Sequence, residues 1–256
     1  MIPHIFHWVW LGDNPIPYKD KEWMSSWVKH HPEGWRFIVH AEHPSAVELP
    51  EKFEVRQIRP LISQWAYDHV EQVVHQGAGI AARSDIVRYE VVLEGGIYLD
   101  TDVECFAPID RTIENVTLFV SDQWGPSTGS PGNYMFGATP NHPAIYTVVR
   151  DMDASVRRPL DEQKTPASVL QVTGPNYLNH QLSRYASELV IFPYQLFSPL
   201  DYVHDPDSVE VWPEASLGNH RADGKWYDRV KVDAPAKFKK RPRQVKPDAG
   251  ANSNDN

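Results

Sequence analysis

The chain has 256 residues, 41% of them hydrophobic, and a net charge of −9, enough apolar material for a packed core and the wrong sign for a general nucleic-acid binder. Its 22 prolines point to long ordered loops, its 9 tryptophans to stacking or packing surfaces, and its one cysteine, Cys105, excludes an intrachain disulfide. No basic-then-apolar leader opens the sequence and no apolar run approaches the ~20 residues of a membrane span, so a cytoplasmic protein is expected.

In chain order, Ile2 to Leu11 reads as a first, aromatic-rich strand and 12–17 as a loop. Lys21 to His30 has helical spacing, with Trp23, Trp27 and Val28 near one stripe. Trp35 to His40 is a short strand, and Pro60 to Val74 a helix. Gly77 to Leu93 is a second helix, with Ile80, Val87 and Val91 on one stripe and Gly95-Gly96 as its stop. Leu118 to Asp122 is a strand, 125–132 a loop able to line an open site, and His142 to Met152 a helix with Pro143 in its first turn. Thr165 to Leu170 and Tyr177 to Tyr185 are helical pieces; Val190 to Phe192 and Val209 to Trp212 are short strands. Strands alternating with helices predict an α/β fold, a mostly parallel sheet covered on both faces, with ligands at the carboxyl ends of the strands.

The most informative stretch is Glu94 to Val103. As a continuous strand it sends Tyr98, Asp100 and Asp102 to one face, the two acids about 6.6 Å apart. Paired carboxylates on one face repel unless a cation lies between them, and oxygen ligands suit Mg²⁺ or Mn²⁺. Upstream, Asp85 and Arg88 share a helix face, with small residues Ala81 and Ser84 near it. Alone, such a pair is an ordinary solvated ion pair worth roughly 0.2–0.5 kcal/mol; beside an acid-tipped strand it reads as part of a site.

These residues resemble a known family. Ser84-Asp85-x-x-Arg88-Tyr89 followed by Leu93-x-Gly95-Gly96-x-Tyr98-x-Asp100-x-Asp102 resembles the DXD sugar transferases of glycosyltransferase family 32, similar to clostridial glucosylating toxins and polysaccharide transferases. The opening Ile2–Gly12, the segment Asn133-x-x-Phe136-Gly137-Ala138 with His142-Pro143, Thr173-Gly174-Pro175 and Phe192-Pro193 fit the same pattern. Ser216 to His220 with Gly224-Lys225-Trp226 resembles the closing histidine–tryptophan motif, with Lys225 where the family often has serine.

The resemblance implies a GT-A-type, Rossmann-like fold. It implies a metal-dependent, retaining hexosyltransferase for polysaccharide biosynthesis, using a nucleoside-diphosphate sugar, a UDP-sugar first and GDP-mannose second. The expected metal is Mn²⁺ or Mg²⁺, held by Asp100, Asp102 and His220. Donor binding falls to Trp10, stacked on the base, and to Ser84, Asp85, Arg88, Tyr98, Asp100 and Trp226; the catalytic set is Asp85, Arg88, Asp100 and Asp102. Without the resemblance, Trp10 reads as core and His220 as a solvated loop histidine.

The catalytic domain is expected over 1–235, with a basic then polar tail over 236–256 expected to be disordered. Residues 237–246 carry six positive charges and no negative one, which suits either a solvated tail or contact with anionic lipid at the inner membrane face. A glycan or lipid-linked glycan is the expected acceptor. Two other readings compete. One is a DxD-type metal-dependent phosphohydrolase or phosphotransferase, whose downstream lysine and acidic pair have no counterpart in the sequence. The other is a non-catalytic nucleotide-sugar-binding protein, for which keeping all four charged residues has no purpose.

Overall fold

The computed structural model describes residues 1–31, 33–123, 131–199 and 214–221. The expected strand at 209–212, Trp226 and the basic run at 237–246 lie outside the described residues. The chain enters through β1 (Ile5–Trp10), α1 (Tyr18–His30), β2 (Arg36–Ala41) and β3 (Phe53–Gln57). It continues through α2 (Gln64–His69), α3 (Gly79–Val91) and β4 (Gly96–Leu99). After a turn come β5 (Val103–Cys105), α4 (Asp110–Ile113), β6 (Leu118–Asp122) and β7 (Pro131–Ala138). The last elements are α5 (Pro143–Arg150), α6 (Met152–Asp161), α7 (Val169–Val172), α8 (Pro175–Leu182), β8 (Val190–Phe192), α9 (Tyr194–Phe197) and β9 (Gly218–His220).

Seven strands form one sheet in the order β3-β2-β1-β4-β7-β6-β8, parallel except for β7, which runs against both β4 and β6. This is the mostly parallel α/β sheet that the alternation of elements predicts. The strands are buried on both faces, so they read as apolar runs rather than alternating patterns. One face packs Val9, Tyr89, Tyr98, Phe136 and Ile145 with α3, α5 and α8; the other packs Phe6, Trp8, Trp27, Leu99 and Met135 with α1 and α9. β1 leads to β2 and β3 on one side, while the chain returns to β4 on the other. The strand order therefore reverses between β1 and β4, where open α/β sheets bind ligands beyond the strand ends.

Several sequence expectations are corrected. The helix expected over Pro60 to Val74 is α2 plus one 3₁₀ turn (Val70–Gln72), since Pro60 and Ser63 start it late. Ile80 is exposed while Val87 and Val91 are buried, because it falls in the first turn of α3, beyond the edge of the sheet it covers. The expected helix over Thr165 to Leu170 shrinks to α7, starting at Val169, because Pro166 offers no N–H and Ala167 forms a bridge with Val74. The helix at 143 stops at Arg150 and a second, α6, follows; β3, β5 and β7 were not expected as strands. Pro131 and Gly132 belong to β7 rather than to the expected loop.

Candidate active site

The continuous strand expected through Val103 is broken. β4 ends at Leu99, Asp100 to Asp102 form a turn closed by Val103 N–H donating to Asp100 O at 3.2 Å, and β5 begins after it. The two acids thus converge because the backbone turns, not because alternate residues of a strand share a face. Asp100 N–H still donates to Tyr134 O of β7 at 2.8 Å, so the turn starts from the central sheet. β5 leaves the main sheet and pairs antiparallel with β9, placing Val103 opposite His220. Asp100, Asp102 and His220 each offer a ligand atom, all within 4.8 Å of one another.

His220 is buried, with Nε2 3.5 Å from Asp102 Oδ1 and its ring stacked on Tyr134 at 4.2 Å and 4°. Its Nδ1 is buried without a hydrogen-bond partner. Burial alone would lower the pKa of His220, but Asp102 and then Asp100 outweigh it and raise the pKa. An imidazole drawn toward two carboxylates that would otherwise repel, all on oxygen and nitrogen atoms, is a donor set that a divalent cation satisfies. The three residues fit Mn²⁺ or Mg²⁺.

The second half of the site comes from α3. Arg88 and Asp85 are buried, 3.3 Å apart, and Arg88 Nη1 lies 3.0 Å from Asp100 Oδ1. The solvated surface pair is therefore excluded. Arg88 Nη1 also donates to Asn133 O at 2.9 Å and Nη2 to Ser84 Oγ at 3.3 Å, and the guanidinium lies 4.7 Å from the Tyr98 ring centroid. Its fork, expected to face the donor, here grips the protein and ties Asp85 to the acid turn. Burial works against the Arg88 charge, but Asp100, Tyr98 and Asp85 together outweigh it and raise its pKa. Tyr98 donates to Asp100 Oδ1 at 2.6 Å, and burial first, with the nearby acids, holds its hydroxyl well above the ordinary tyrosine range.

Asp85 is gripped at both oxygens: Asn133 Nδ2 donates to Oδ1 at 2.8 Å and Thr173 Oγ1 to Oδ2 at 2.9 Å. Burial raises its pKa to about 6, with Arg88 and then Thr173 opposing. Burial likewise raises that of Asp100 against the pull of Arg88. Asn133 and Thr173 stood in matching segments of the sequence, but their task, orienting Asp85, was not legible there; three elements distant in sequence meet at one carboxylate. Trp10 ends β1, half-buried, its Nε1 donating to Asn14 O at 2.7 Å. It stands at the same rim as Asp100, since β1 and β4 run parallel side by side. Ser84, Asp85, Arg88, Tyr98, Asp100, Asp102 and His220 are thus gathered, Trp10 is on the neighbouring strand end, and Trp226 is outside the described residues. Cys105 is buried and its thiol pKa is raised by that burial, as expected of a core residue.

Comparison with known proteins gives three findings. Residues 17–127 match the model of the glycosyltransferase sugar-binding region containing the DXD motif. Inositol phosphoceramide mannosyltransferase 1 of Schizosaccharomyces pombe is 26% identical over 223 residues, 85% of this chain and 58% of the relative; the chain thus spans a little over half of that protein. Among solved structures, the PaToxG glycosyltransferase matches with a TM-score of 0.53 and 20% identity, over 73% of this chain and 70% of its own. The UDP-bound glycosyltransferase domain of the YGT toxin matches with a TM-score of 0.52 and 10% identity, over 75% and 80%. The seven-stranded sheet shares the fold of these glycosyltransferase domains.

Proposed function

We propose that this chain, whose residues 17–127 are a DXD-containing glycosyltransferase sugar-binding region, is a divalent-metal-dependent hexosyltransferase. It takes a sugar from a nucleoside-diphosphate donor, with retention of configuration, and passes it to a glycan or glycolipid. One observation carries the reading: Asp100, Asp102 and His220 converge at the carboxyl end of β4, and Arg88 links Asp100 to a buried Asp85. Breaking the anomeric bond leaves extra negative charge on the diphosphate. Asp100, Asp102 and His220 would hold a divalent ion, which would supply Lewis-acid stabilisation of that leaving group.

The chain's own residues do the rest. Asp85, fixed by Asn133 and Thr173, accepts hydrogen bonds from sugar hydroxyls and orients the anomeric carbon. Arg88 holds Asp85 and Asp100 in register, and its positive charge opposes the upward pull of burial on the pKa of both carboxylates. Trp10 offers an aromatic face to the base, a contact worth roughly 1–3 kcal/mol in comparable sites. Trp226, outside the described residues, is assigned to the diphosphate by the resemblance of its motif alone.

The relative, an inositol phosphoceramide mannosyltransferase by name, supports mannose as the sugar and a glycolipid as the acceptor, with UDP-sugars as the other donor class. Contact of residues 237–246 with anionic lipid at a cytoplasmic membrane face would bring the enzyme to such an acceptor. Among the described residues no helix is long and apolar enough to cross a membrane.

The test is a donor screen with Mn²⁺, measuring release of UDP or GDP without acceptor, alongside Asp102→Asn. Metal-dependent release from one donor class, lost in the variant, is the expected result. Release that EDTA does not reduce would overturn the metal-dependent reading. Truncation before residue 237 should leave donor hydrolysis unchanged and weaken binding to phosphatidylserine vesicles; a full chain that ignores such vesicles at low salt removes the lipid contact.

A further inference from the structure

Thr101, the residue between the two acids of the turn, is held from behind. Its hydroxyl donates to Asp20 Oδ2 at 2.8 Å. Asp20 is in the first turn of α1 and completely buried. The same helix grips the next two residues of that phase: Trp27 Nε1 donates to Val103 O at 2.8 Å, and Ser26 Oγ accepts from Cys105 N–H at 2.8 Å. Residues 101, 103 and 105 are therefore tied to α1, while Asp102 joins the metal cluster and Glu104 pairs with Arg221.

Asp20 is an unusual choice for its place. Asp20, Met24 and Trp27 are the buried residues of α1, at i, i+4 and i+7, the spacing of a core stripe. A carboxylate there loses hydration that an aliphatic side chain would not need. The helix dipole favours acids in a first turn, but it does so equally at exposed positions and does not call for burial. A fixed anchor for Thr101 does. The turn carries two like charges; Val103 N–H donating to Asp100 O closes it and Arg221 N–H donating to Asp102 O at 2.9 Å ties its far side to β9, while Thr101 between them is tied to Asp20.

We propose that Asp20 is a positioning residue for the metal carboxylates, acting through the Thr101 hydroxyl to hold the turn in its ion-binding shape. The proposal rests on the metal-dependent reading above. Groups that hydrogen-bond behind a metal ligand set its geometry, and their loss typically costs about 10–100-fold in metal affinity.

The test titrates Mn²⁺ into the full chain, with UDP or GDP present, and reads free Mn²⁺ by electron paramagnetic resonance, a measurement independent of turnover. Asp20→Ala and Thr101→Val should each weaken Mn²⁺ binding by about tenfold or more. The double variant should be no weaker than the worse single one, because both changes remove the same contact. Asp20→Asn keeps an oxygen acceptor and Thr101→Ser keeps the hydroxyl, so both should bind near the wild-type level. Thermal melts in EDTA report folding separately, and if Asp20→Ala does not fold, Thr101→Val carries the comparison. Wild-type affinity in either Asp20→Ala or Thr101→Val, or strictly additive losses in the double variant, overturns the proposal. A wild-type chain that binds Mn²⁺ no better than Asp102→Asn does overturns the metal reading itself, and this inference with it.

Discussion

At the scale of single residues, the site divides between groups that can meet an ion and groups that hold them. Asp102 belongs to the first kind, and Asp102→Asn should cut donor turnover by two orders of magnitude or more, on the order of losing a key electrostatic contact. His220→Ala should act more mildly, raising the Mn²⁺ needed for half-maximal activity by about tenfold. The pH dependence of Mn²⁺ binding has a definite sign. The pKa of His220 is raised, and a protonated imidazole cannot ligate, so affinity should fall as pH drops through that raised value. Calorimetry at two pH values checks it; affinity that is flat with pH, or rises on acidification, would remove His220 from the shell. Asp85 is of the mixed kind, since it faces Arg88 yet is held by Asn133 and Thr173. Asp85→Asn should therefore weaken use of the sugar nucleotide more than binding of free UDP or GDP. A uniform loss of both would give Asp85 a structural role only.

At the scale of elements, the tight connection from α3 to β4 is the most constrained. Gly95 has φ +82° and Gly96 φ +120°, and a Cβ on Gly96 would lie 2.7 Å from Ile5 O and 2.8 Å from His7 Nε2. Gly96→Ala should cost about 2 kcal/mol or more, read from urea midpoints, since both the backbone angle and the space refuse it. This connection was legible because glycine pairs mark turns, and the helix before it was legible from its period. β7 was not. Its sequence, Pro131 to Ala138, contains two glycines, an asparagine and a proline, which read as loop. It is a strand because β4 and β6 flank it and satisfy its backbone, a non-local cause that no window of sequence contains. The acid pair was legible as two carboxylates that converge, but for a reason only partly right: a turn, not strand alternation, brings them together. His220 was legible only through resemblance, because its partner strand β5 is three residues long. Asp20 gave no signal, as an acid near a helix start is ordinary.

At the scale of the whole molecule, acid stability should be set by a pair of histidines inside the sheet. His7 Nε2 lies 3.0 Å from Gly95 O, a carbonyl that can only accept, so that nitrogen carries the proton. His7 Nδ1 must then accept from His40 Nε2 at 3.0 Å. His7 is thereby fixed as neutral, and burial lowers the pKa values to about 4 for His7 and about 3 for His40. The unfolded chain binds protons near 6.5, so stability is full above that pH and is lost as pH falls toward 4 and 3. Asp85, its pKa raised to about 6, has the opposite sign, as do Asp100 and His220, whose pKa values are also raised, so at these groups the fold gains as pH falls. The two histidine shifts together exceed that of Asp85, and His31 and His142, whose pKa values burial also lowers, act in the same direction as the pair, so urea midpoints should drop between pH 7 and pH 5. His40→Gln, which can still donate to His7, should narrow the drop; an unchanged pH profile would exclude the pair as its cause.

The β5–β9 ribbon has a consequence for the chain as a polymer. Asp102 and His220 are neighbours in space yet close to half the sequence apart, so an ion shared by them is a reversible cross-link as well as a reagent. It would shorten the paths open to the unfolded chain and pin residues 214–221 to the acid turn, a constraint that a chelator releases. Removing Mn²⁺ should therefore lower the melting temperature in the presence of UDP or GDP and speed protease cleavage around residues 214–221, whereas an enzyme whose ion served chemistry alone would be cut at the same rate with or without it.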